Sequence, residues 1–180
     1  MYKNAGSNPE LKESVDALED LIAEGKATEE DRDAAYELVK MLPGDSAGDA
    51  FGHAAIAGRV AEVKGAGSLF SVDHNPTSLV GEAERWATLS RQKDPTFRDG
   101  AATRMLGTLY VLAPADMLKH GDSEEGISML EKLVEEKPDL PVNQLRLAEA
   151  YNPVPYIGIA LQAFNVGKCR VHVPDIPVAD

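Results

Sequence analysis

Four histidines, His53, His74, His120 and His172, are the side chains best suited to proton transfer or metal ligation near neutral pH. They are scattered along the chain, and no two fall at the i, i+4 spacing with which a helix presents a metal-binding pair. No ligand set follows from such spacing, and neither a metal nor a cofactor is expected. Asp73-His74 could form a catalytic pair, but it precedes Asn75-Pro76, where Asp and Asn commonly serve a turn. His120-Gly121-Asp122 reads as a helix stop followed by a helix N-cap. The single cysteine, Cys169, stands beside Arg170, which would favour a thiolate. With no base in sight it reads as a small apolar residue near a helix end. Gly65-Ala66-Gly67 lacks both the lysine and the preceding strand of a phosphate loop, and reads as a hinge or linker. Trp86, Tyr110 and Tyr151 are candidates for lining a ligand cavity, although aromatics at helical spacing more often build the core. Spacing brings no acid, base and nucleophile together, so the chain is not expected to be an enzyme.

The elements that would position these groups are helices. The 180 residues are 43% hydrophobic, enough to bury a core in one compact domain without a metal or disulfide staple, and one cysteine allows no internal disulfide. Aromatics are scarce at 6%, while Ala, Leu, Glu and Lys fill the long uninterrupted stretches, which favours helices packed through small side chains. Thirty acidic residues against 18 basic ones leave a net charge of -12, whose field repels phosphate backbones and anionic membranes. Nucleic acid is therefore not an expected partner. The opening residues lack the apolar core of a signal peptide, and nowhere do about eighteen apolar residues run together, so no membrane span is expected. As written the chain reads as cytoplasmic, or as periplasmic if an export signal has been removed.

Residues 1–64 are expected to form N-terminal helices. Asn8-Pro9-Glu10 supplies an N-cap, a proline at the first helical position and an early acid, and Leu11, Val15, Leu18 and Ile22 form the stripe of a helix ending near Gly25. Thr28-Glu29-Glu30-Asp31 caps a second helix, with Ala35, Leu38, Val39 and Leu42 as its stripe and Pro43-Gly44 as its stop. A third begins at Asp45 or Ser46 and runs to about Lys64, rich in alanines that allow close backbone approach. A loop over 65–77 marks the clearest internal boundary. Further helices are predicted over 78–93, 99–120, 123–137, 141–151 and 155–168, with an extended tail over 171–180 whose prolines exclude helix.

Within 78–170 the residues recur. Leu106-Gly107 with Tyr110, then Gly126 with Leu130 and Pro138, is followed by Leu147-Ala148 with Tyr151, then Ala160 with Phe164. Ala83, Ala87 and Pro95 would close an earlier unit, and the N-terminal helices show no such register. This spacing is tetratricopeptide-like: small residues where paired helices cross, larger ones between pairs, proline at the turn to the next pair. The longer gap in the first unit falls around Ala113-Pro114-Ala115-Asp116-Met117-Leu118, where proline should kink or restart the helix. The expected fold is all-α, with helical hairpins stacked as a short tetratricopeptide-like array, an α-α superhelix.

Residues 94–151 also resemble the T component of tripartite ATP-independent periplasmic transporters. The likeness lies in Asp94-Pro95-Thr96-Phe97-Arg98-Asp99-Gly100-Ala101, the Arg104 to Tyr110 run, Gly121-Asp122 and the Leu147-Ala148-Glu149-Ala150-Tyr151 ending. It covers about a third of the chain and rests on packing residues. It implies a helical, oligomeric periplasmic accessory protein that associates with a solute-binding partner and holds apolar ligands.

In stacked hairpins the first helices line the concave groove. Arg104, Thr108, Leu145, Glu149 and Asn152 are accordingly the expected partner-binding residues. Chaperone-binding tetratricopeptide proteins use a basic, amide-rich clamp for a peptide carboxylate; only Arg104 approaches that chemistry by spacing, so this mode is not expected. The leading expectation is a non-catalytic helical-repeat protein that binds a protein or peptide partner, self-association into a homo-oligomer included. The second is an apolar small molecule held between the N-terminal helices and the repeats.

Overall fold

The computed structural model describes residues 8–67, 76–113 and 117–151. Among them the chain is all-α: seven helices and one 3-10 turn, with no strand. Asn8 opens α1 (Pro9–Ala23) by accepting the Glu10 N–H, and Leu11, Val15 and Leu18 are its buried stripe. A complete capping box opens α2 (Glu29–Lys40): the Thr28 hydroxyl accepts the Asp31 N–H and the Asp31 carboxylate accepts the Thr28 N–H. Ser46 and Asp49 exchange the same pair of bonds at the head of α3 (Ala47–Gly67).

Every residue of α3 from Asp49 to Ala61 is buried. A helix covered on all sides must be small all round, and Ala50, Gly52, Ala54, Ala55, Ala57, Gly58 and Ala61 supply that. It packs on α1, α2 and most extensively on α4 (Pro76–Lys93). Each helix packs on the next in the chain, α1 also reaches α3, and α5 (Ala101–Leu112) also reaches α7 (Pro141–Tyr151). One hydrophobic core joins residues of α1 through α6 (Ser123–Glu136).

Glycines set the α5–α6 crossing. A Cβ on Gly126 would stand 2.7 Å from the Gly107 carbonyl oxygen, and one on Gly107 would stand 2.8 Å from Leu130 Cγ. These are two of the small-residue slots read from the repeat spacing.

Four boundaries differ from the sequence expectation. α3 continues through Gly67, past Lys64, and α4 begins at Pro76, so the glycine-rich boundary starts inside a helix and the two helices it separates pack together. The helix expected over 99–120 is shorter: it begins at Ala101, after a 3-10 turn (Phe97–Asp99), and stops at Leu112. Pro114 explains the stop, because the residue before proline avoids helical geometry and Ala113 is extended at φ -78, ψ 144. The helix expected over 155–168 and the tail over 171–180 lie outside the described residues.

The turn between α4 and α5 carries three consecutive residues in the left-handed region, Arg98 at φ 47, Asp99 at φ 58 and Gly100 at φ 81. For the two that are not glycine this conformation is strained. Phe97 anchors the turn against Phe51 of α3, ring centroids 5.8 Å apart, and the Arg98 guanidinium lies 5.6 Å from the Phe51 ring centre.

Candidate functional site

Arg104 sits in the first turn of α5, and its Nη1 donates to Asn143 Oδ1 of α7 at 2.7 Å and, more weakly, to the Asp99 carbonyl at 3.4 Å. Asn143 is fully buried and its amide faces the Leu133 and Lys137 carbonyls at 3.5 Å, which fixes its oxygen toward Arg104. One turn along α7, Arg146 is buried and its Nη1 donates to Glu149 Oε2 at 2.6 Å. Asp99 is paired with Lys137 at 2.9 Å beside them.

The arginines feel one another. Burial pulls the Arg104 pKa below its usual value, and the positive charge of Arg146 pulls it further, with Asp99 opposing. Arg98 is lowered by burial and then by Arg104. Arg104 and Arg146 therefore share a partly dehydrated patch where α5 and α7 meet around Asn143, while the Arg98 guanidinium lies over the Phe51 ring of α3. In a chain of net charge -12 this is a local reversal of sign. A guanidinium fork matches the two oxygens of a carboxylate, and a dehydrated surrounding strengthens that match.

The five residues expected to contact a partner separate here. Arg104 is at the centre of the patch, and Glu149 holds Arg146 beside it. Leu145 is half-buried on α7. Thr108 does not lie on an open face: it is 2% exposed and its hydroxyl donates to the Arg104 carbonyl at 2.8 Å, the local bond that a helical threonine makes one turn back. Asn152 lies outside the described residues. Sequence spacing missed Asn143 and Arg146, although their i, i+3 relation on α7 was available.

The groups considered for catalysis are placed elsewhere. His53 is buried in α3, its ring stacked on Trp86 at 4.2 Å with 12° between planes, and its Nε2 donates to the Leu42 carbonyl at 3.2 Å. Burial lowers its pKa, which keeps the ring neutral. Glu82 accepts from Trp86 Nε1 at 3.3 Å and from the Tyr36 hydroxyl at 2.5 Å, tying α2 to α4. Tyr110 is buried elsewhere, its pKa pushed up to about 12 by burial and then by Glu84. Glu84 is itself completely buried and accepts the N–H groups of Lys119 and His120 at 2.9 and 2.8 Å. Tyr151 is 59% exposed and bonds to Glu131. The three aromatics considered for a ligand cavity are thus engaged separately. His74, His172 and Cys169 lie outside the described residues, and among those described no cluster of His, Cys, Asp and Glu could hold a metal ion.

No protein-family model matches the chain, and no curated protein matches it either. No helix among the described residues is long and apolar enough to cross a membrane.

Proposed function

We propose that the chain is a non-catalytic helical-repeat protein that binds a protein partner through the α5 and α7 face, with Arg104 at the centre of the contact. The tetratricopeptide-like spacing of the sequence supports the reading, as does the close Gly107–Gly126 crossing that such spacing calls for. The observation that carries it is the placing of Arg104 and the buried Arg146 on adjoining faces of α5 and α7 around the buried Asn143, in an acidic molecule. Like charges held close and dehydrated cost free energy that an incoming carboxylate relieves. The partner group is accordingly an acidic side chain or a chain terminus.

Affinity capture with the full chain from extracts of its source, followed by mass spectrometry, tests this. A partner retained by the wild type should be lost with Arg104→Glu and kept with Glu135→Lys, an exposed charge change on α6. Recovery of the same proteins by wild type and Arg104→Glu, with both folded, would remove the α5–α7 face from the function.

A further inference from the structure

The opposite end of the array carries a second surface. Between α1 and α2, on their outward side, runs a groove with Leu18 and Ala35 at its base and Ala17, Leu21, Ala34 and Leu38 along its walls. Leu38 is 37% exposed, and Met41, one turn further along the same helical stripe, is 75% exposed. The terminal pair of a helical array normally turns a polar face outward, since no further repeat covers it. Here the outward face is apolar instead.

Its edges are acidic. Glu10 and Glu13 line one end and Asp31 the other, and no Lys or Arg is among the residues that form it. α1 as a whole carries five acids and one lysine, and α2 five acids, one arginine and one lysine. The basic groups nearest in the sequence are engaged: Lys12 with Asp16 at 2.7 Å, Lys40 with Glu37 at 2.7 Å, and Arg32, whose Nη1 donates to the Ala27 and Thr28 carbonyls at 2.9 Å. A second copy docked through the same face would set acid against acid, which argues against self-association there. We infer that the α1–α2 groove docks a basic amphipathic helix of a partner protein, its aliphatic row lying between α1 and α2 and its lysines or arginines meeting Glu10, Glu13 and Asp31. An aliphatic row at i, i+3, i+4, i+7 fills such a groove, and flanking cations set the orientation. This surface is distinct from the arginine patch in place and in sign, so either can fail without the other.

The test uses the full chain and a fluorescent synthetic peptide of Leu and Lys at helical spacing, about as long as α1, with a Leu and Glu peptide of the same pattern as control. The basic peptide should bind, more weakly as salt rises, and the acidic one should not. Glu10→Lys with Glu13→Lys should weaken binding by about tenfold or more, whereas Glu135→Lys with Asp139→Lys, which changes the net charge equally on α6 and the turn after it, should leave it unchanged. Leu38→Ser should weaken it, with circular dichroism showing that the variant stays folded at the temperature of the assay. Amide-exchange protection by the peptide should fall on α1 and α2. Equal weakening by both charge reversals, or protection elsewhere, would reduce the effect to general attraction by an acidic protein and overturn the inference. So would absence of binding, or a wild-type dimer that Leu38→Ser converts to monomer.

Discussion

Arg59 of α3 is 2% exposed, and its fork holds Glu19 of α1 through Nε at 2.7 Å and Nη2 at 2.8 Å, while Nη1 reaches Glu62 at 2.9 Å. Two carboxylates overcome the burial that would otherwise disfavour the guanidinium charge, so its pKa rises. At Glu62 burial wins over Arg59, and the carboxyl is pushed up to about 7. Because the folded state holds this proton more tightly than the unfolded one, the contribution of Glu62 to stability is greatest below about pH 4.5. It falls as pH rises toward 7 and is flat above, a loss of about 3 kcal/mol for a shift of that size. Denaturant titrations of wild type and Glu62→Gln from pH 4.5 to 8 should show the difference between them growing in favour of the variant over that interval. Arg59→Leu leaves two buried acids without their cation and should cost roughly 3–5 kcal/mol, part of it regained on adding Glu62→Gln. None of this was legible beforehand: Arg59, Glu19 and Glu62 are residues of types that usually sit at the surface, and only the all-round burial of α3 forces one inward.

At the level of the helix, the caps of α1 and α2 and the stripe of α1 were plain in the sequence, because Asn8, Thr28, Asp31 and the four-three spacing of Leu11, Val15 and Leu18 act locally, whereas on α2 the expected Leu38 is 37% exposed and Tyr36 is buried. The small residues at Gly107 and Gly126 were legible for a related reason, as slots in a repeating pattern. Gly126→Ala tests their role. Alanine gains about 1 kcal/mol of helix propensity over glycine. Its methyl would nonetheless meet the Gly107 carbonyl oxygen, Tyr110 Cβ and Val111 Cγ2 within 3 Å, all parts that move little. Net destabilisation of about 1–3 kcal/mol is expected by urea unfolding; a neutral or stabilising result would mean that the α5–α6 crossing is looser than described. The end of α5 was misjudged because helical spacing continues past Pro114 in the sequence, while the pre-proline restriction at Ala113 ends the helix first.

Across the whole molecule, the all-α class and the order of helices followed from composition and punctuation, whereas the arginine patch did not. It is assembled from the head of α5 and the middle of α7. Such convergence depends on how hairpins stack, which local spacing does not encode. The acidic groove between α1 and α2 was hidden for the same reason, since a leucine stripe in sequence does not say which of its members stay uncovered. Buried helix α3 has a consequence for how the molecule opens. Its alanine-rich segment has little packing of its own to keep it folded once α1, α2 and α4 leave, and no solvent-facing side through which water can reach its amides. Deuterium should therefore enter residues 50–61 last, at a common rate set by opening of the entire fold. That single slow phase would serve as a clock for global unfolding, read from the buried stretch of α3.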